Sequence, residues 1–123
     1  MDFNAQKPIY SQIIDVIYEY ILTGTWISGE RIPSVRDMAI SMAVNPNTLM
    51  RSYAYLEEKD IIHLTRGVGY FLTPDAKTQI LALKKAEFLT KELPDVFRSM
   101  ELLSITIEEF CQLYARRKSY EIK

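Results

Sequence analysis

Residues that could carry acid–base, nucleophilic or metal chemistry are scarce in this sequence. His63 is the only histidine and falls within a predicted strand, with no nucleophile motif or cluster of metal ligands around it. Cys111 is the only cysteine, so neither an intrachain disulfide nor a multi-cysteine zinc site can form, and we expect a buried packing thiol. The pattern argues against an enzyme and against a bound metal or cofactor.

A second group of side chains is suited to binding. We predict a helix from about Pro46 to Lys59, capped by Asn45. One side of this helix should face a core: Leu49, Tyr53 and Leu56. The opposite side carries hydrogen-bonding groups: Asn47, Thr48, Arg51 and Tyr55. The backbone N–H groups and the positive dipole end at the helix N-terminus add an affinity for phosphate.

Two further helices must hold this one in place. Apolar residues recur every three or four positions from Pro8 to Thr23, which predicts an amphipathic helix ending near Gly24. In the turn-rich segment that follows, we expect Trp26 to be a packing anchor. Ser34 can cap a second, short helix, which the brief connection Ala43–Val44 joins to the third. Two short helices joined by such a turn form a helix-turn-helix.

The chain after the third helix predicts a hairpin and then more helices. Ile61–Leu64 and Tyr70–Leu72 are strand-favouring runs on either side of a glycine-containing loop. The remainder looks helical, and Pro94 should kink or break a helix there or start a new one. Thr106 has capping-box spacing before a final helix, which we expect to run to about Tyr120.

These elements predict a fold that is mainly α with a small β-hairpin. Three helices followed by a hairpin are the layout of a winged helix-turn-helix domain, which we predict for residues 1–74, with a helical tail in residues 75–123. In such a domain the third helix is placed to enter a DNA major groove. A winged-helix module that binds another protein is the alternative.

Composition and charge limit these interpretations. With 123 residues, the chain holds one ordinary domain or a small domain with an appendage, and its 48% hydrophobic and 25% charged residues are typical of a folded protein. The net charge is −1, and residues 1–74 hold six basic against eight acidic residues, so a DNA-binding face must come from clustering. Neither a signal-like segment nor eighteen consecutive apolar residues occur, and we expect a cytoplasmic protein outside the membrane.

Several short motifs occur once each, at fixed spacings, along residues 8–73. They are Pro8–Ile13, Gly24–Trp26, Gly29–Ala39, Val44–Leu49, Tyr53, Leu56–Glu57, Ile61–Ile62 and Arg66–Phe71. In order and spacing these motifs resemble the GntR family of bacterial transcription factors. Asp60 departs from a glycine common at that helix end in the family, although aspartate can adopt the left-handed conformation.

The resemblance implies a DNA-binding regulator and gives roles to individual residues. Seven would contact DNA: Arg36, Asn45, Asn47, Thr48, Arg51, Arg66 and Gly67. Most would bond bases or phosphates, Arg51 would reach a phosphate or a guanine, and the last two would place the wing tip at the minor groove. Each also has a plainer interpretation as a solvated charge, a helix cap or a turn former.

The tail is similar to the two-helix dimerisation tail of the YtrA-like subfamily and is too short for a large effector-binding domain. Six of its residues would form a homodimer interface: Leu81, Phe88, Leu89, Phe97, Phe110 and Tyr114. A small-molecule cavity lined by the same aromatic side chains is the less favoured alternative. The resemblance thus implies a symmetric homodimer that binds double-stranded operator DNA with an inverted repeat and represses transcription, with activation left open.

Overall fold

The structure is a computed structural model that describes residues 7–117. Its elements in chain order are α1 (Ile9–Leu22), α2 (Val35–Met42), α3 (Pro46–Glu58), β1 (Ile62–Thr65), β2 (Gly69–Leu72), α4 (Ala76–Glu87), a π-helical turn (Phe88–Glu92), α5 (Leu93–Leu102) and α6 (Ile107–Ala115). One compact unit ends at Leu83 and a second begins at Lys84. No helix in the described range is long and apolar enough to cross a membrane.

The core of the first unit forms around the apolar stripe of α1. Ile13, Ile17 and Ile21 recur at four-residue intervals and are essentially inaccessible to solvent, as the sequence pattern predicts. Trp26, in the loop after α1, is also buried, which confirms its role as a packing anchor. Its ring contacts the Tyr53 ring of α3 edge to face, with centroids 6.5 Å apart.

Side-chain caps start both helices of the helix-turn-helix. The Ser34 hydroxyl accepts a hydrogen bond from the Asp37 N–H at 3.1 Å, and the Asn45 side-chain oxygen accepts one from the Asn47 N–H at 2.8 Å. Pro46 lies in the first turn of α3, where its missing N–H is not needed. The predicted starts of α2 and α3 are therefore confirmed.

Two helices of the first unit end on non-glycine residues in the left-handed conformation. Ala43 has a φ of 55°, and the next residue, Val44, donates its N–H to the Ala39 carbonyl at 3.0 Å. Asp60 has a φ of 60°, and Ile61 donates its N–H to the Leu56 carbonyl at 2.9 Å. The left-handed conformation expected for Asp60 is confirmed, whereas nothing in the sequence marked Ala43.

The wing is an antiparallel hairpin with the register Ile62 opposite Leu72 and Thr65 opposite Gly69. β1 begins and ends one residue later than predicted, because the Ile61 N–H completes the end of α3, whereas β2 begins one residue earlier and ends at Leu72 as predicted. The segment after α1 extends the sheet, because the Ile32 N–H donates a hydrogen bond to the Tyr70 carbonyl of β2 at 2.9 Å. A Cβ on Gly69 would lie 2.9 Å from the Nε of Arg31, so a side chain there would displace the guanidinium, and the φ of 139° also favours glycine.

The beginning of α4 belongs to the first unit. Ala76 and Ile80 are buried in the same core cluster as α1 and α3. The boundary between the compact units therefore falls after Leu83, later along the chain than the predicted change at residue 74.

The second unit is helical, as predicted, but its last helix is shorter than expected. Pro94 lies in the first turn of α5, directly after the π-helical turn, which agrees with one of the alternatives that the sequence left open. The Thr106 hydroxyl accepts from the Glu109 N–H at 3.1 Å and starts α6, which ends at Ala115 and not near Tyr120. Tyr120 itself lies outside the described residues.

Cys111 corrects an expectation. The sequence predicted a buried thiol, but Cys111 is exposed on α6. The reason is general to the second unit, because none of residues 84–117 is buried within the single chain.

The left-handed residue in the turn between α2 and α3 yields a stability prediction. Ala43→Gly should raise the free energy of unfolding by about 0.5–1 kcal/mol, since glycine reaches positive φ without the Cβ penalty. Ala43→Val should lower it, because a β-branched residue fits that region worst. Urea denaturation of the three proteins measures both changes, and a Gly variant less stable than the wild type would contradict the assignment.

Candidate nucleic-acid interface

The position of α3 is fixed by its inward side. Leu49, Tyr53 and Leu56 are all fully buried, as predicted. The helix is therefore anchored over its whole length, and its outward side is determined by the helical period. Asn47 and Arg51 are exposed and Thr48 is half-buried.

The N-terminal turn of α3 is exposed to solvent, and some of its backbone N–H groups already have hydrogen-bond acceptors. The Asn45 oxygen is committed to the cap bond, so this side chain has a structural role whether or not it also touches a ligand. Asn47 and Thr48 follow it in the first turn, where N–H groups at a helix start attract anions. The turn can therefore offer both side-chain and backbone donors.

The start of α1 lies beside this turn. Together they line an open depression of about 340 Å³: Pro8, Ile9, Tyr10, Asn47, Thr48 and Arg51. The central carbon of the Arg51 guanidinium lies 3.8 Å from the centroid of the Tyr10 ring, which is a cation–π distance. The structure thus brings three of the predicted contact residues together and adds Tyr10, which the sequence had not assigned.

Tyr55 was placed on the same outward side but belongs to another surface. It lines a depression of about 290 Å³ near the other end of α3, together with Tyr18, Lys59 and Ile80. The Lys59 ammonium lies 5.6 Å from the centroid of the Tyr55 ring. The outward stripe of α3 therefore divides into an N-terminal half beside the start of α1 and a C-terminal half beside α4.

Arg36 is exposed in the first turn of α2. The entry to that turn is held by Tyr53, whose hydroxyl donates a hydrogen bond to the Pro33 carbonyl at 2.7 Å. Burial raises the pKa of Tyr53 well above its ordinary value, and the nearby Tyr70 raises it further. The phenol is therefore a neutral donor at physiological pH and positions the helix that carries Arg36.

The wing tip carries the last two predicted contacts. Arg66 is exposed, and Gly67 has a φ of 79°, which glycine adopts without strain. The Val68 N–H donates to the Thr65 carbonyl at 3.0 Å and closes the turn. Arg36, Arg66 and Gly67 lie on α2 and the wing, outside the depression beside α1.

The arginines keep their charge available. Among the described residues, no carboxylate forms an ion pair with Arg36, Arg51 or Arg66. Lys7, by contrast, pairs with Asp15. The three guanidiniums can therefore contribute local positive charge, although the net charge of the chain is unfavourable for DNA binding.

The six predicted dimerisation residues are all exposed in the single chain: Leu81, Phe88, Leu89, Phe97, Phe110 and Tyr114. Phe97, the central aromatic of α5, is 53% exposed, which is unusual for a large apolar side chain. The helices that carry them therefore leave their apolar surface uncovered within one chain.

Within residues 7–117, the structure shows no cluster of side chains suited to binding a metal ion. No group of three His, Cys, Asp or Glu side chains in that range could hold a metal ion. His63 is exposed and stacks on Phe71 across the hairpin, with ring centroids 5.8 Å apart. That contact makes His63 a cross-strand packing residue.

The first unit combines three helices with a hairpin wing that turns at Gly67, and the N-terminus of α3 is exposed to solvent. This arrangement defines a winged helix-turn-helix DNA-binding protein. Residues 9–72 match the family described as bacterial regulatory proteins, gntR family. The chain therefore belongs to the GntR family and is a DNA-binding transcriptional regulator, not an enzyme.

Similar proteins agree with this assignment. The chain is 36% identical over 110 residues to the uncharacterized HTH-type transcriptional regulator YhcF of Bacillus subtilis, covering 89% of each chain. It is 38% identical over 81 residues to the HTH-type transcriptional repressor YtrA of the same organism, covering 66% of this chain and 62% of that one. A GntR family transcriptional regulator from Listeria monocytogenes has a similar structure, with a TM-score of 0.71 and 40% identity over 93% of this chain and 98% of that one.

The buried Tyr53 hydroxyl gives a test of how α2 is held. Tyr53→Phe should lower the free energy of unfolding by about 1–2 kcal/mol, because the Pro33 carbonyl loses its donor. The wild type should also lose stability above about pH 10, since Tyr53 ionises there only in the unfolded chain, and the variant should lose less.

Denaturant unfolding at pH 7 and at pH 11 measures both effects. Tyr55→Phe is the matched control, because it removes the hydroxyl of a tyrosine on the exposed side of the same helix. Equal stability of Tyr53→Phe and the wild type at pH 7 would contradict the role of the hydrogen bond.

Proposed function

We propose that the protein is a homodimeric transcriptional repressor that occupies an inverted-repeat operator. The N-terminal unit binds DNA, and the helical tail joins two chains. A regulator of chromosomal DNA in bacteria acts in the cytoplasm, which agrees with the expected location.

The observation that carries DNA contact is the placement of unpaired donors on one helix start. Asn47, Thr48 and Arg51 gather at the N-terminal half of α3, and no described carboxylate pairs with Arg51. In docked helix-turn-helix proteins this part of the recognition helix meets base edges. Arg36 on α2 and Arg66 in the wing supply further guanidiniums for bases or phosphates, and Gly67 lets the wing tip approach the minor groove.

The homodimer is supported by the exposure of the tail. None of residues 84–117 is buried in the single chain, although these residues include several large apolar side chains. A second copy that covers Phe88, Phe97 and Phe110 would remove this surface from water. A two-fold symmetric dimer places two recognition helices on two half-sites, and the operator is then an inverted repeat.

Repression is supported by the similarity to YtrA of Bacillus subtilis, which is named a transcriptional repressor. A dimer bound over a promoter blocks transcription by occupancy alone, so the small chain needs no further activity. The same similarity supports membership of the YtrA-like subfamily.

DNA binding is tested with the double variant Arg36→Ala, Arg51→Ala. Wild-type protein should prefer a fragment from upstream of its own gene over an unrelated fragment of equal length. The variant should lose about 100-fold in affinity for the upstream fragment, since two charged contacts to bases or phosphates disappear. Fluorescence anisotropy over a range of salt concentrations measures affinity and the number of phosphate contacts.

The matched control is Arg98→Ala, Arg116→Ala, which removes the same charge from the tail. Its affinity should stay within about threefold of the wild type, because both arginines belong to the tail, to which the proposal assigns no contact with DNA. Equal or absent binding of wild-type protein to both fragments would favour a winged-helix module that binds protein.

The dimer is tested by analytical ultracentrifugation at micromolar concentration. Wild-type protein should sediment with twice the mass of one chain, and Phe88→Glu, Phe97→Glu should sediment as a monomer, since buried unpaired carboxylates oppose association. Ile27→Glu, an equally exposed apolar residue in the N-terminal unit, should remain dimeric. Monomeric wild-type protein would overturn the dimer.

A further inference from the structure

The contact between Arg51 and Tyr10 carries a consequence for how the DNA surface works. The guanidinium carbon lies 3.8 Å above the centroid of the Tyr10 ring, and no described carboxylate competes for it. A guanidinium stacked in this way has one face covered by the ring, while the N–H groups in its plane stay free to donate. The contact therefore fixes the direction of Arg51 without using its donors.

Tyr10 is itself held in place by α3. Ser52 is fully buried, and its hydroxyl lies 2.9 Å from the Tyr10 carbonyl oxygen, to which it donates. This hydrogen bond joins the first turn of α1 to the turn of α3 that carries Arg51. The tyrosine ring also packs on the hydrophobic core, so it is a fixed platform beneath a long side chain.

The position of the Tyr10 ring bears on whether Arg51 contacts a phosphate or a guanine, the two roles expected for it. The start of α1 lines the depression on the flank of α3, beside Asn47 and Thr48. When α3 occupies a major groove, an element packed on its flank lies over the groove edge, where the sugar–phosphate backbone runs. Stacking on Tyr10 draws the guanidinium toward that edge and away from the base edges at the groove floor.

We propose that Tyr10 is a positioning residue that holds Arg51 for a sequence-independent contact with a backbone phosphate. This inference rests on the proposed DNA binding and assigns to one of its arginines a phosphate and not a guanine. The ring supplies the effect and the tyrosine hydroxyl does not, because the guanidinium sits over the ring face.

The test measures affinity and salt dependence on two duplexes, the upstream fragment and an unrelated one of equal length. Arg51→Ala should weaken both by a similar factor of about five to ten and reduce the salt slope by about one. Tyr10→Leu should weaken both by about two- to fivefold, which corresponds to about 0.5–1 kcal/mol of cation–π stabilisation. Tyr10→Phe should bind as the wild type does.

A double-mutant cycle separates positioning from structural damage. Tyr10→Leu should have no further effect once Arg51→Ala is present, since the ring acts only through the guanidinium. Tyr55→Leu is the matched control, because it removes an aromatic ring beneath a basic side chain at the other end of α3, and its affinity should not change. Thermal melting of each variant checks folding, and Tyr10→Met replaces Tyr10→Leu if the latter melts early.

Three results would overturn the inference. They are a loss for Arg51→Ala confined to the upstream fragment, a loss for Tyr10→Phe, and additive losses in the cycle. The first would make Arg51 a base reader, and the second would make the Tyr10 hydroxyl a contact of its own. Wild-type protein that binds neither duplex would instead refute the proposed function, so the two failures are distinguishable.

Discussion

The DNA-binding unit depends on one buried aromatic residue, Tyr53. Its ring contacts Trp26 of the loop after α1 and Tyr70 of the wing, with the Tyr70 ring centroid 5.1 Å away. Its hydroxyl donates to the Pro33 carbonyl, immediately before the cap of α2. A single side chain on the recognition helix therefore touches the parts of the chain that carry every other candidate contact. Edge-to-face packing and a buried hydrogen bond are both directional, so they fix orientation as well as proximity.

That inward anchoring leaves the outward side of α3 free to bind. The surface does not depend on net charge, which is slightly negative for the chain. Arg36 and Arg51 have no carboxylate ion-pair partner among the described residues, so both can contribute positive charge to this surface. Local potential is set by nearby uncompensated groups, since charges beyond about 10 Å are screened by salt.

The two compact units differ in how they are stabilised. The first buries an apolar core that includes the beginning of α4, whereas none of residues 84–117 is buried in the single chain. The first unit therefore has an apolar core of its own, whereas the large apolar side chains of the second unit stay exposed in the single chain. The exposed thiol of Cys111 belongs to the same uncovered surface.

The sequence by itself determined the elements and most of the candidate site. Helical periodicity, the Ser34 and Asn45 caps and the glycine turn are local signals, so the helices and the hairpin could be predicted with shifts of one or two residues in most places. Two features of the site could not be predicted, because each depends on residues distant in the chain. They are the stacking of Arg51 on Tyr10 and the position of Tyr55 beside Tyr18 and Ile80. The burial of Ile80 and the exposure of Cys111 were likewise decided by packing. Local chemistry fixes where a helix starts and which side is apolar, but only the tertiary structure decides what that side meets.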